Sequence, residues 1–492
     1  MRNVIIELKH TPSLEATVAA SRNATTPLET AVPSLAGINI DSTYTPVGLP
    51  RLVPPPAAAF DPYDTEVRKS MDATSKNSTY LVRGQLADDT EASYQAAMKN
   101  PNVVGIYADP QIEVCAVCPG TPALGTEAMV ANRIGVSQLA ARGMDGSGVR
   151  VAIVDTGINM TYLRARGRSP NFDALRSWVP RPGLTPGNMP VDHGTMVAYD
   201  VTIAAPRCTL LDIVLLIPRP RPPIGSSLME GLLSDAVQAY GHLVNVQLAP
   251  RRPGESGSLI VNNSWGMFHE SWDFPPGHPG RYADNPDHPF NRIVELLETL
   301  GADILFAAGN CGRLCPDGRC RGVTTGGITG ANGHPLVLTV GGVDVTRALA
   351  GYSTSGPGRL SRYKPDITSY THFRGSGVFA ADGGTSAATP VAAGVIAAFR
   401  TRFGYDATDA RTFPASIRNI VRRTAEDRGA IGFDFDYGWG IINGRRLATV
   451  TSLSVLTPAT VTSEELAEYD LEQQNPGVSP SEEKPKCPCS EK

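Results

Sequence analysis

The run Val391-Ala392-Ala393-Gly394-Val395-Ile396-Ala397-Ala398 is small and apolar on every side, and a helix without a polar face belongs inside a large domain. It follows Gly384-Thr385-Ser386-Ala387-Ala388-Thr389-Pro390, a string of small residues with a Pro that fits near a helix start. The expectation is a buried helix that opens on an exposed hydroxyl, Ser386, with Pro390 in its first turn. The first N–H groups of a helix have no intrahelical acceptor, and the aligned peptide dipoles place partial positive charge there, so developing negative charge is stabilised. The same string also fits a plain turn into a core helix. A serine hydroxyl is a weak nucleophile, and it needs a base and a group that orients the base.

Three other segments supply candidates. Val149 to Val154 is a β-rich run that ends in Asp155-Thr156-Gly157, a carboxylate at the C-terminal edge of a buried strand, where crevices form in open α/β sheets. A structural aspartate capping the next turn is the competing reading. Of eight histidines, His193 stands apart: Asp192-His193-Gly194-Thr195-Met196 reads as a helix start, backed by Pro206 and the strand-like run Thr209 to Leu216. Capping is its alternative role. The strand Ile304-Leu305-Phe306-Ala307-Ala308-Gly309-Asn310 ends in small residues and an amide that can donate to an oxyanion, or that serves a turn.

Taken together, Asp155-Thr156-Gly157, His193-Gly194-Thr195, Ala307-Ala308-Gly309-Asn310 and Gly384-Thr385-Ser386 with Pro390 resemble, in that order, the subtilisin-like serine proteases, the subtilase family. Val261 to Gly266 is similar to the family's substrate-lining strand, and Tyr437 to Asn443 to the segment that closes its catalytic domain. The resemblance covers residues 128–449. It implies an α/β fold with a mostly parallel central sheet flanked by helices. It also implies Ser386 as nucleophile, His193 as general base and acid, Asp155 as the group fixing the imidazole tautomer, and Asn310 with the Ser386 N–H as oxyanion hole. Ser264, Trp265 and Gly266 would pair with the substrate backbone, and Ala307, Ala308 and Gly309 would line the specificity pocket, so the substrates are extended polypeptides. The chain departs from the family where Met196 follows His-Gly-Thr, where Ala387 follows Ser386 and where Val391 follows Pro390. No cofactor is required. Family members often bind calcium, but no stretch here matches such a site residue by residue, and no metal ligands are assigned.

The N-terminal part alternates strand (Asn3 to Lys9), helix (Ser13 to Ala20), strand (Tyr80 to Gly84), helix (Glu91 to Lys99) and strand (Val103 to Tyr107), which suits a small α+β ferredoxin-like domain. Residues 1–114 look like the family's inhibitory prodomain, with a flexible insertion over residues 22–78 that is rich in Pro, Thr and Ala. That resemblance makes the region an intramolecular inhibitor and residues 115–127 a linker and self-cleavage region. A permanent, uncut N-terminal domain is the alternative. Residues 456–492 read as a disordered acidic tail.

Composition narrows the function classes. The 492 residues suffice for two or three domains, and 49 Gly with 41 Pro indicate a loop-rich globular chain. A net charge of −4 points to neither a nucleic-acid nor a membrane partner, and a monomer is expected. The eight cysteines fall in three clusters besides Cys208: Cys115 with Cys118, Cys311 with Cys315 and Cys320, and Cys487 with Cys489. A disulfide closing the Cys311 to Cys320 loop is the plain reading, redox control of the oxyanion loop the sharper one, and a zinc site lacks a second matching pair. No secretory signal is visible after Met1, so the compartment stays open between the cytoplasm and export by another route. A non-catalytic peptide-binding relative would lack one of Asp155, His193 or Ser386, and all three are present.

Overall fold

The computed structural model describes residues 2–12, 14, 35, 37–50, 79–116, 122–217 and 230–453. Apart from Leu14, the expected helix from Ser13 to Ala20 therefore lies outside the described residues, as do the acidic tail and part of the 115–127 linker. Near the N-terminus the strands are β1 (Arg2–Lys9), β2 (Ile38–Ile40), β3 (Val47–Leu49), β4 (Thr79–Leu86) and β5 (Val103–Ala108), with helix α1 (Glu91–Met98) between the last two. They form an antiparallel sheet in the order β2-β4-β1-β5, with β3 on the same edge of β4 as β2. With β2 and β3 acting as one interrupted strand, this is the ferredoxin-like order. It corrects one expectation, because Ile38–Ile40 and Val47–Leu49 fall inside residues 22–78, which composition assigned to a flexible insertion. Two three-residue strands are too short to show a period of two in a Pro- and Thr-rich stretch.

Alternation along β1 explains why the whole strand reads as apolar. Val4, Ile6 and Leu8 face a small core with Val82, Tyr94 and Ile106, whereas Ile5 joins the core of the larger body with Leu49 and Leu81. Thr90 caps α1, its hydroxyl accepting from the Ser93 N–H at 3.3 Å.

The remaining strands are β6 (Gln111–Val114), β7 (Gly125–Thr126), β8 (Arg150–Asp155), β9 (Asn171–Phe172), β10 (Thr209–Val214), β11 (Glu230–Leu232), β12 (Leu259–Asn263), β13 (Trp265–Gly266), β14 (Ala302–Ala307), β15 (Leu338–Val343), β16 (Ile367–Tyr370) and β17 (Phe373–Arg374). Seven of them make a sheet in the order β16-β15-β14-β12-β8-β10-β9, and every pairing in it is parallel. A parallel sheet needs cover on both faces. Val151, Ile153, Ile260, Leu305 and Val340 meet α2 (His193–Val201), α5 (Thr385–Arg402) and α6 (Pro414–Thr424) on one face. Ala152, Val154, Val261, Ile304 and Phe306 meet α3 (Leu233–Leu248) and α4 (Pro289–Thr299) on the other. The α/β architecture expected from the sequence is thus the one observed. Helix α5 is buried on all sides from Thr385 to Arg400, as its apolar run requires.

Five strands stand apart from both sheets: β6 lies antiparallel between β11 and β13, and β7 pairs in parallel with β17. Among the described residues no helix is long and apolar enough to cross a membrane.

Candidate active site

The parallel strands all end on one side, and the chemistry-bearing residues collect there. Asp155 closes β8 and is fully buried. Its Oδ1 accepts from the Thr156 N–H at 2.7 Å and lies 2.8 Å from His193 Nδ1, which fixes the tautomer that carries its proton on Nδ1. His193 opens α2, and Asp192 accepts from its backbone N–H. The Asp-Thr-Gly and His-Gly-Thr segments interlock: Thr156 Oγ1 accepts from the Gly194 N–H at 2.8 Å. A Cβ on Gly194 would lie 2.6 Å from the Gly157 carbonyl oxygen, so only glycine permits the approach that sets the carboxylate against the imidazole.

Ser386 is the second residue of α5 and is fully buried, which corrects the expectation of an exposed hydroxyl. The Cys115 carbonyl oxygen passes the Gly384 turn just before it. Ser386 Oγ donates to the Ser264 carbonyl at 3.1 Å, and His193 Nε2, also buried, has no hydrogen-bond partner among the described residues. Pro390 is likewise displaced from its expected first turn, standing one turn further into the helix. Its missing N–H leaves the Ser386 carbonyl without the usual helix bond, and Ser264 Oγ donates to that carbonyl at 3.0 Å. Ser264 therefore grips Ser386 at both its hydroxyl and its carbonyl.

Asn310, just past the end of β14, is oriented by Thr385, the first residue of α5. Its Oδ1 accepts from both the N–H and the hydroxyl of Thr385, each at 3.0 Å, which aims Nδ2 away from the helix. Nδ2 donates to the carbonyl oxygen of Cys115. Cys115 follows β6, and its own N–H donates to the Ser264 carbonyl at 2.9 Å. Upstream, Val114 pairs with Trp265 and Glu113 with Gly266, while Gln111 and Glu113 pair with Leu232 and Glu230 on the other side. Residues 111–114 thus form the middle strand of this three-stranded sheet, and Cys115 continues from it. Gly384, at φ 73°, keeps the crossing open, since a Cβ there would stand 2.1 Å from the Cys115 carbonyl oxygen.

The Cys115 side chain packs with Phe268, Ala307, Cys311 and Cys320. Ala308 and Gly309 line the same cavity. Burial pushes the Cys115 thiol up to about 12, so the group in this cavity is neutral. Cys311 is joined to Cys320 by a disulfide, as the plain reading of that loop holds, and Cys315 is disulfide-bonded too. Trp265 pairs with the β6 segment through its backbone, and its ring is buried edge-on against Phe306. Met196, Ala387 and Val391, the three departures from the family pattern, all lie in the core. No group of three or more His, Cys, Asp or Glu among the described residues is placed to hold a metal ion.

Two residues at the site escaped the sequence. Cys115 was legible only as one member of a cysteine pair. Arg319 sits in the Cys311 to Cys320 loop, where the cysteines drew the attention, yet its guanidinium contacts Glu113, Val114 and Ala116.

Residues 146–440 match the family model described as the subtilase family. Subtilisin Savinase of Lederbergia lenta is 27% identical over 311 residues, covering 61% of this chain and 91% of that protein. Alkaline elastase YaB of Bacillus sp. (strain YaB) is 25% identical over 314 residues, covering 63% and 68%. Among solved structures, fervidolysin from Fervidobacterium pennivorans, a keratinolytic enzyme related to subtilisin, aligns with a TM-score of 0.51 at 15% identity. That alignment covers 92% of this chain and 61% of fervidolysin, and it speaks to the fold. The chain belongs to the subtilase family of serine-type endopeptidases.

Proposed function

We propose that this endopeptidase works through Asp155, His193 and Ser386, and that it is made as a zymogen whose first substrate is its own chain, cut between Cys115 and Ala116. The observation that carries the reading is the position of the Cys115 carbonyl, which accepts from Asn310 Nδ2 while the Cys115 N–H is held by the Ser264 carbonyl. In this reading Ser386 Oγ leaves the Ser264 carbonyl, turns to His193 Nε2 and attacks the Cys115 carbonyl carbon. His193 takes the hydroxyl proton and delivers it to the Ala116 nitrogen as the peptide bond breaks, leaving an ester between Ser386 and Cys115. Asp155 holds the imidazole and stabilises its charged form. The Asn310 amide and the Ser386 N–H, free of helix partners at the second position of α5, bind the oxygen as it becomes an anion. Water then reverses the sequence on the ester and frees the Cys115 carboxylate.

Residues 1–114, proposed to be the prodomain, would stay docked after the cut as an intramolecular inhibitor until the enzyme digests them. Three polar clasps support this: Arg292 with the buried Glu7 at 2.9 Å, Arg83 with Asp235 at 2.7 Å, and Ser234, whose N–H and hydroxyl both donate to Asp109. A fluorophosphonate probe should label the purified enzyme at Ser386, and the same sample should digest casein. If neither labelling nor digestion occurred, the proposed triad would be abandoned.

A further inference from the structure

Arg319 reaches across the bond at which self-cleavage is proposed. It lies on the short turn Gly318–Cys320, anchored by the Cys311–Cys320 disulfide. Nη1 donates to Glu113 Oε2 at 2.8 Å and to the Val114 carbonyl at 3.0 Å, and Nη2 donates to the Ala116 carbonyl at 3.2 Å. Asp317 fixes the fork from behind, accepting from Nε at 3.0 Å and from Nη2 at 2.8 Å. The guanidinium lies over the Phe268 ring, 3.7 Å from its centroid. This one side chain therefore reads a carboxylate, a carbonyl before the bond and a carbonyl after it.

The carboxylate it reads is buried: the Glu113 side chain is only 4% exposed. A charge in such a place needs partners, and Arg319 Nη1 donates to one Glu113 oxygen while the Gln111 amide donates to the other. The other charged neighbour of the pocket is Glu230, which shares the Gln111 amide with Glu113. Replacing Glu113 by a neutral residue would leave Arg319 with Asp317 alone. A lysine there would set two cations together in a site shielded from water. At the residue that is attacked, the cavity is closed by Ala307, Phe268 and the Cys311–Cys320 bridge, which suits a small uncharged side chain such as that of Cys115.

We propose that Arg319 sets the substrate class of this site: extended peptides carrying a carboxylate two residues before the attacked residue, and a small uncharged side chain at the attacked residue. The assignment rests on the reading that residues 111–116 lie as a substrate does. Arg319 acts as a specificity residue and takes no part in bond breaking.

Three quenched-fluorescent peptides test it, all of the form Gln-Ile-Xaa-Val-Ala-Ala with Glu, Gln or Lys at Xaa, offered to the wild-type protein alongside casein. The expected order of kcat/KM is Glu, then Gln, then Lys, with Glu ahead of Lys by about 10- to 100-fold. Arg319→Gln should flatten that order and Arg319→Glu should invert it. Equal rates on the three peptides with casein digested would overturn the Arg319 assignment and leave the endopeptidase reading standing. A Glu preference that survives unchanged in folded Arg319→Gln would do the same. No turnover of any peptide or of casein would overturn both. The wild-type ranking needs no variant, so a misfolded Arg319 substitution does not remove the test.

Discussion

The seven-stranded parallel sheet is covered on both faces by helices of its own, whereas the antiparallel sheet of β1 to β5 covers one face with α1 and lays the other on α3 and α4. Ile5, Leu49 and Leu81 are buried only because Leu233, Val237, Tyr240 and Phe290 lie opposite them. The larger body is complete without the smaller, and the smaller is incomplete without the larger. Burial of apolar area is what makes such docking favourable, and the polar clasps give it register. A cut in the segment that joins the two would leave them held together by this face alone, the arrangement expected of an inhibitor that outlasts its own excision.

The largest effect that could break this picture is at Ser386, the proposed nucleophile. Ser386→Ala should lower turnover on the order of 10⁶-fold and leave the two bodies joined in one chain, as judged by intact mass. Next comes Asn310→Ala, which removes the donor to the Cys115 carbonyl. It should slow cleavage of an external peptide about 10²- to 10³-fold in kcat, with a smaller change in KM.

Glu7→Ala separates docking from chemistry. It strips Arg292 of its carboxylate and leaves Thr79, whose hydroxyl donates to Glu7, without that acceptor. Breaking a buried ion pair costs about 3 kcal/mol at the low end. In the Ser386→Ala background the smaller body should then be digested by an added protease well before the larger. Equal digestion would mean that the two are one cooperative unit. Of similar size, Cys320→Ser opens the loop that carries Arg319, and chemical denaturation should show about 2–3 kcal/mol less stability in the larger body.

The smallest effect is a pH slope. Asp109 is buried at the N-terminus of α3, and burial, more than any neighbour, lifts its carboxyl to about 6 from an ordinary value near 3.8. The docked state holds this proton more tightly than the released state, so the stability it contributes is present at low pH and is lost as pH rises from about 4 to about 6. Asp109→Asn keeps the acceptor for the Ser234 N–H without the charge. Its melting temperature relative to the parent should therefore rise across that window, and a constant difference would remove Asp109 from the account.

The sequence singled out Asp155, His193, Asn310 and Ser386 as candidates because each stands where a regular element begins or ends, and such junctions carry sharp signals: β-rich runs that stop at a glycine, small residues before a helix. The apolar run Val391 to Ala398 of α5 likewise dictated a large core. What stayed hidden was relational. Nothing in Val47–Leu49 says that β4 will receive it, because a three-residue strand is defined by its partner. The approach of the Cys115 carbonyl to the Gly384 turn joins two segments far apart in the chain. Arg319 is one arginine among many until Glu113 and Ala116 arrive beside it. The displacement of Pro390 from the first turn to the next shows the remaining limit, since helix boundaries are set by tertiary bonds such as that from Ser264 to the Ser386 carbonyl.

The central claim is that the Cys115 carbonyl is held for attack by Ser386. N-terminal sequencing of the purified wild-type protein and of Ser386→Ala, side by side, tests it most directly. The account predicts a fragment beginning at Ala116 in the wild type and only the full-length chain in the variant. An uncut wild type, a cut at another bond, or the same cut in both proteins would contradict it.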